Sequence, residues 1–124
     1  MQFKPNYPIY LQVADYLCEK ILTDVWHNGE KIPSVKELSV QTSVNPNTVI
    51  KSLTWLQDNG IVNTQRGIGY FLTDDAKNST ITLKRNQFIR EDLPDVFSTM
   101  QLLNLSMQEL QSLYEQQVKQ GDGE

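Results

Sequence analysis

The side chains of this sequence that could carry a function are amides and a few cations, which bind ligands, rather than catalytic nucleophiles. Among its 124 residues there is one histidine, His27, and one cysteine, Cys18. We expect His27 to be a surface or structural residue and Cys18 to be a small apolar residue at or near the core. A lone cysteine excludes an internal disulfide and a multi-cysteine zinc site. The composition therefore argues against an enzyme, and we expect neither a metal nor a cofactor.

Two short polar segments could instead recognise a nucleic acid. The first holds two asparagines and a threonine, with a lysine one turn later, and the second holds a glutamine and an arginine beside two glycines. An amide can pair bidentately with adenine in the major groove, and a cation can bind a phosphate. The two segments are Asn45-Pro46-Asn47-Thr48 with Lys51, and Gln65-Arg66-Gly67-Ile68-Gly69.

Apolar spacing and capping signals predict three helices in the first half of the chain. Ser34 and Glu37 have the spacing of a capping box, in which each side chain bonds the backbone N–H of the other residue. Asn45 followed by Pro46 supplies an N-cap and then a proline in the first helical turn, where its missing N–H costs little. The predicted helices are Pro8–Val25, Ser34–Thr42 and Pro46–Asp58.

A β-hairpin is predicted after the third helix. Two β-prone runs, IVNTQ at 61–65 and YFLT at 70–73, are separated by a short connection that contains two glycines. The order helix, helix, tight turn, helix, hairpin is that of a winged helix-turn-helix. We therefore predict a mainly α fold with a small β-hairpin, with this domain at residues 8–74 and the hairpin turn as its wing.

Residues 75–124 are predicted to form a helical tail. Apolar residues repeat at helical spacing from Ile89 onwards, and Pro94 either kinks or ends that helix. Ser106 and Glu109 form a second capping box that opens a last helix.

The tail is also predicted to mediate dimerisation. About fifty residues in two helices cannot bury their apolar side chains against themselves alone, so they must cover the winged domain or another chain. Burying six of these side chains at about 2 kcal/mol each contributes roughly 12 kcal/mol before entropy, which is enough to drive dimerisation. The predicted dimerisation residues are Phe88, Ile89, Leu93, Val96, Phe97, Met100, Leu103, Leu110, Leu113 and Tyr114.

Three motifs in this chain are typical of one family. They are Pro33-Ser34-x-x-Glu37-Leu38, Asn45-x-x-Thr48-Val49, and Gly60-Ile61-Val62 followed by Arg66-Gly67-x-Gly69-x-Phe71. On these motifs, the segment Pro8–Leu72 closely resembles the DNA-binding domain of GntR-family bacterial transcription regulators. The Asn-Pro-Asn-Thr-Val form and the short tail resemble the YtrA-like subfamily. Larger GntR relatives carry a separate ligand-binding domain, for which this chain has no room.

The resemblance implies a sequence-specific transcription regulator that binds an inverted-repeat operator in double-stranded DNA as a twofold homodimer. Within the YtrA-like group it implies repression of a nearby operon, often one that encodes a transporter. The residues do not identify a small-molecule effector. One place for such a ligand would be the dimer seam between Phe88 and Met100.

Candidate DNA contacts can be placed on the predicted elements. A recognition helix presents its N-terminal turn to base edges, which makes Asn47 the best candidate for a base contact. Thr48 could reach a phosphate or a thymine methyl group, and Lys51 suits a phosphate. Asn45 has an alternative interpretation as an N-cap only. Pro46 stands where many relatives carry a basic residue, so base readout there should be weaker or steric.

Further contacts are expected at the second helix and at the wing. Ser34 begins the second helix, and Lys36 matches a position where many relatives carry an arginine for phosphate contact. The lysine keeps the charge but loses the bidentate geometry. At the wing, the glycines allow a close approach to the DNA backbone and Arg66 suits a narrow minor groove. The wing contacts are expected at Gln65, Arg66, Gly67, Ile68 and Gly69, with Ile68 an unusual apolar tip.

Net charge supports a rival hypothesis. Eleven basic and fifteen acidic residues give a net charge of −4, the wrong sign for a protein that coats nucleic acid. The alternative is therefore a winged-helix protein-interaction module that does not bind DNA. Salt dependence separates the two hypotheses, since phosphate binding weakens steeply as salt rises. Neither a signal peptide nor an apolar run of membrane-spanning length is visible, which predicts a cytoplasmic protein without a membrane partner.

Overall fold

The structure is a computed structural model that describes residues 6–122. Gly123 and Glu124, the end of the predicted tail, lie outside the described residues. The predicted fold class, mainly α with a small β-hairpin, is confirmed. The helices are α1 (Ile9–Leu22), α2 (Val35–Thr42), α3 (Pro46–Asp58), α4 (Ala76–Gln87), α5 (Leu93–Leu102) and α6 (Met107–Asp122), and the strands are β1 (Val62–Gln65) and β2 (Gly69–Leu72).

The first helix is shorter than predicted. Pro8 is the N-cap and Thr23 the C-cap, so α1 ends three residues before Val25. The physical reason is the backbone of Asp24, whose φ of 61° is left-handed and cannot continue a right-handed helix.

The caps of α2 and α3 agree with prediction. The Oγ of Ser34 accepts a hydrogen bond from the Glu37 backbone N–H at 3.1 Å, and the Glu37 carboxylate accepts one from the Ser34 N–H at 3.1 Å. Helix α2 ends at Ser43, which adopts the left-handed conformation with φ 56°. The chain then enters α3 directly through its N-cap Asn45.

The core lies between α1, α2, α3 and the hairpin. Leu17, Leu38, Leu53 and Leu56 are fully buried in it. Cys18 belongs to the same core, as predicted, and burial raises the pKa of its thiol to about 12. These contacts fix α3 against α1 and leave the first turn of α3 at the surface.

The hairpin pairs β1 and β2 antiparallel, with Thr64 opposite Tyr70 and Gln65 opposite Gly69. A short segment before α2 extends this sheet at the β2 edge. Lys31 pairs with Phe71, the Ile32 N–H donates to the Tyr70 carbonyl at 3.0 Å, and the Leu72 N–H donates to the Glu30 carbonyl at 2.9 Å. The base of the wing is therefore held on one side by the chain that leads into α2.

Helix α4 begins at Ala76, four residues after the end of β2. Ala76 and Thr80 are buried, and Lys84 forms an ion pair with Asp15 of α1 at 2.6 Å. By its contacts the chain divides into two compact units, one ending at Lys84 and one beginning at Arg85. The first half of α4 thus packs with the winged domain. The functional division between residues 74 and 75 stays a prediction.

The second unit contains α5 and α6. A π-helical segment, Phe88–Asp92, connects α4 to α5, and Pro94 lies in the first turn of α5. The backbone keeps right-handed helical angles at Gln87, Asp92 and Leu93, so the proline follows a π-helical turn and not a break in the helix. The second capping box is present, since the Glu109 N–H donates to the Ser106 Oγ at 3.1 Å. None of the described helices is long and apolar enough to cross a membrane.

Candidate nucleic-acid interface

The first turn of α3 presents polar side chains to solvent. Asn45, Pro46 and Asn47 are exposed, and Thr48 is half-buried. The Oδ1 of Asn45 accepts a hydrogen bond from the Asn47 backbone N–H at 2.8 Å, so the Asn45 side chain serves as the N-cap. Asn47 contributes only its backbone to this cap. Its side-chain amide therefore has the exposure and the position that base readout requires.

Lys51 lies one turn further along α3 and contacts α1. Its Nζ lies 4.3 Å from the centre of the Tyr10 ring, at the distance of a cation–π interaction. The Tyr10 carbonyl in turn accepts a hydrogen bond from the Ser52 Oγ at 2.6 Å. The exposed ammonium of Lys51 is thus held beside a ring rather than extended freely into solvent.

The start of α2 carries Ser34 and the exposed Lys36. The hydrogen bonds from the Ser34 backbone and side chain lower the pKa of the Glu37 carboxyl, with a smaller contribution from Lys31. Glu37 therefore stays ionised at neutral pH and contributes a negative charge at this end of the helix. Lys36 and Lys31 supply the positive charge that a phosphate would need here.

The wing turn exposes Arg66 and Ile68. Gly67 has φ 78°, which favours glycine, and the Ile68 N–H closes the turn by donating to the Gln65 carbonyl at 3.0 Å. The Oγ1 of Thr64 donates to the Gln57 Oε1 at 2.9 Å, which ties the wing to the C-terminal half of α3. The Ile68 side chain is 58% exposed, so the apolar tip faces solvent.

Lys31 was not among the predicted contacts, yet the structure places it at the base of the wing. It is exposed, and it pairs with Phe71 on β2. Lys31 belongs to none of the sequence motifs. Its position at the wing results from a strand pairing with Phe71, which the sequence spacing does not reveal. The one sequence feature that could have indicated Lys31 as a DNA contact is its positive charge, since it is one of four cations within residues 31–69.

A family model for the bacterial regulatory proteins of the gntR family matches residues 9–72, which span all of these elements. The chain belongs to the GntR family. GntR proteins are transcription regulators and not enzymes, so the expectation that this chain is no enzyme is confirmed.

Two relatives show where the chain lies within the GntR family. It is 35% identical over 109 residues to the uncharacterized HTH-type transcriptional regulator YhcF of Bacillus subtilis, a match that covers 88% of each chain. It is 32% identical over 103 residues to the HTH-type transcriptional repressor YtrA of the same organism, covering 83% of this chain and 78% of that one. The resemblance to YtrA-like regulators is therefore confirmed.

Solved structures of a GntR regulator and of another DNA-binding domain are similar to this chain. A GntR family transcriptional regulator from Listeria monocytogenes superposes with a TM-score of 0.74 at 28% identity, covering 92% of this chain and 98% of that one. The AraR DNA-binding domain, solved in complex with the operator ORX1, superposes with a TM-score of 0.55 at 26% identity, covering 59% of this chain and 93% of that one. The chain is thus a DNA-binding transcription regulator of the GntR family.

Most of the residues predicted to mediate dimerisation are exposed on the helical tail of this chain. Leu103 is 72% exposed and Tyr114 is 66% exposed, whereas Met100 is buried within the tail unit. Met100 helps to line an apolar cavity of about 340 Å³ together with Val96 and Leu110. Two apolar residues outside the predicted set, Leu102 and Met107, are also more exposed than Phe97. The remaining predicted residues are exposed (Phe88, Ile89, Val96, Leu113) or half-buried (Leu93, Leu110).

Proposed function

We propose that this GntR regulator is a cytoplasmic repressor of a nearby operon and that it binds an inverted-repeat operator as a homodimer. A relative that it matches along most of its length, YtrA, is named a transcriptional repressor. AraR, which shares the fold of the winged domain, was solved on an operator. A transporter operon is the target that the YtrA-like resemblance favours.

The observation that carries the proposal is the exposed amide of Asn47 in the first turn of α3. The neighbouring cap is made by Asn45, so the Asn47 side chain is not needed to hold the helix. The capped start of α2 with Lys36 and the exposed turn with Arg66 provide cations for phosphates on elements adjacent to α3. Sequence-specific binding requires both kinds of group, a side chain that distinguishes the bases and cations that hold the DNA backbone.

Selection from a random oligonucleotide pool tests the whole proposal. The selected DNA is expected to be an inverted repeat, because a twofold dimer presents two identical recognition helices. The half-sites should be centred about 10–10.5 base pairs apart or at a multiple of that distance. Selected sequences without dyad symmetry would contradict the homodimer on DNA.

The anchoring role of Lys36 and Arg66 gives a second prediction. Replacing either residue by alanine should weaken binding to operator and to random DNA by similar factors, because phosphates carry no sequence information. Each change should also reduce the slope of log affinity against log salt by about one unit. Titrations at several salt concentrations measure both effects.

A matched control is Lys119→Ala, which removes the same charge from the exposed surface of α6. It should leave the salt slope unchanged. If Lys36→Ala and Arg66→Ala also leave the slope unchanged, the assignment of these cations to phosphates is wrong. A wild-type protein whose binding does not depend on salt would favour the protein-interaction alternative.

A further inference from the structure

The wing of this protein has a feature that the predicted contacts do not explain. A methyl group added at Gly69 would lie 3.2 Å from the Lys31 Cε and 3.9 Å from the Lys31 Nζ. The end of the Lys31 side chain therefore lies directly over the backbone of Gly69, at the point where the wing turn enters β2. The pairing of Lys31 with Phe71 holds the lysine backbone in this position.

The Lys31 ammonium is available for an outside anion. The residue is exposed, and among residues 6–122 no carboxylate lies within 4.0 Å of its Nζ. The acidic neighbour that it influences is Glu37, whose carboxylate accepts the hydrogen bond from the Ser34 N–H at 3.1 Å. The Glu37 carboxylate is thereby held at the α2 N-terminus. It does not contact the Lys31 ammonium and so does not neutralise its charge.

Gly69 serves two purposes in this arrangement. Its φ of 140° lies in a region that side chains rarely adopt, which already favours glycine. Gly67 shares this property with φ 78°, but a methyl group added at Gly67 meets nothing within 4 Å. The space above Gly69, in contrast, is filled by the Lys31 side chain. The two glycines can therefore be separated by experiment.

We propose that Lys31 is a phosphate-binding residue of the DNA interface and that Gly69 leaves the space in which its side chain lies. The ligand is a backbone phosphate of double-stranded DNA beside the wing. This inference rests on the proposed mode of DNA binding and adds to it a cation that the family motifs did not indicate. Lys31 lies on the segment that leads into α2 and pairs with β2 of the wing.

Substitutions at position 31 test the charge. Lys31→Met keeps an unbranched side chain that reaches over Gly69 and removes the ammonium group. It should reduce the salt slope by about 0.9, which corresponds to a loss of about eightfold in affinity at 0.1 M salt if the two proteins bind equally at 1 M, on operator and random DNA alike. Lys31→Arg should keep the slope of the wild-type protein. Thermal unfolding midpoints should be the same for all three proteins, because the residue is exposed.

The two glycines provide the second test. Gly69→Ala should weaken binding several-fold more than Gly67→Ala, because only the first change displaces the Lys31 side chain. In a Lys31→Ala background that difference should disappear. If Gly69→Ala fails to fold, the salt slope of Lys31→Met by itself decides whether Lys31 binds a phosphate.

The outcomes distinguish this inference from the function on which it rests. A wild-type protein without salt-dependent DNA binding would overturn the proposed function. A wild-type protein that binds DNA normally, together with a Lys31→Met variant of unchanged slope, would overturn only the role of Lys31. A Gly69→Ala penalty that persists in the Lys31→Ala background would show that Gly69 acts through the backbone of the wing and not through Lys31.

Discussion

Replacing Leu103 and Leu113 by glutamate is expected to leave the chain monomeric and to weaken operator binding by a factor of about 10²–10⁴. Leu103 is 72% exposed and Leu113 is 53% exposed, so each leaves more than half of its surface uncovered in a single chain. A dimer interface would bury both. The four carboxylates of such an interface, two from each chain, would lose hydration without gaining partners.

The expected size of this effect follows from linked binding. When one winged domain of a dimer is bound, the second binds its half-site at a high effective concentration. A monomer loses this gain although every DNA-contacting residue is intact. Sedimentation gives the oligomeric state, and titration with a selected operator gives the affinity.

The control for this experiment is the pair Gln108→Glu and Gln116→Glu. Both glutamines are on α6, and helical spacing puts them on the side away from the apolar residues. This variant carries the same change of charge but should remain a dimer with nearly wild-type affinity. A wild-type chain that is monomeric at micromolar concentration would overturn the proposal of a tail-mediated dimer.

Asn47→Ala is expected to cost about 1–3 kcal/mol on the preferred operator and much less on random DNA. The amide can accept and donate one hydrogen bond each at an adenine edge, and alanine can do neither. Random DNA offers mostly backbone contacts, which this change leaves in place. Titrations of the variant and the wild-type protein against both DNAs measure the difference.

Asn47→Ala is expected to change DNA binding without changing the stability of α3. The cap of α3 uses the Asn47 backbone N–H and the Asn45 side chain, both of which Asn47→Ala retains. The unfolding midpoint should therefore stay unchanged. Asn45→Ala is the contrasting variant, because loss of an N-cap typically costs about 0.5–2 kcal/mol of stability. If Asn47→Ala weakens operator and random DNA equally, Asn47 contacts the backbone and our assignment of base readout is wrong.

The elements around the candidate interface could be predicted because their ends are encoded locally. The capping box of Ser34 and Glu37 and the Asn45-Pro46 start each specify a helix terminus within four residues of sequence. The buried stripe of α3, with Val49, Leu53 and Leu56, follows from helical periodicity alone. These local signals were sufficient for the winged helix-turn-helix.

Other features could not be predicted because they depend on tertiary contacts. The end of α1 is set by the left-handed backbone of Asp24, which apolar periodicity does not register. The packing of α4 on the winged domain includes the ion pair between Lys84 and Asp15, which are 69 residues apart. The position of Lys31 depends likewise on a pairing with Phe71. Partners so distant in sequence leave no local pattern.

The first turn of α3 has a consequence for how this protein would find its site in a genome. The Asn45 side chain is occupied by the cap, and Pro46 has no backbone N–H to donate. One bidentate amide per half-site discriminates by about 1–3 kcal/mol, or roughly 2–6 kcal/mol over two half-sites. Competition from about 10⁶ non-specific sites corresponds to roughly 8 kcal/mol. The remaining selectivity is expected from a thymine contact of Thr48, from the spacing of the half-sites and from the sequence-dependent shape of the DNA under the wings.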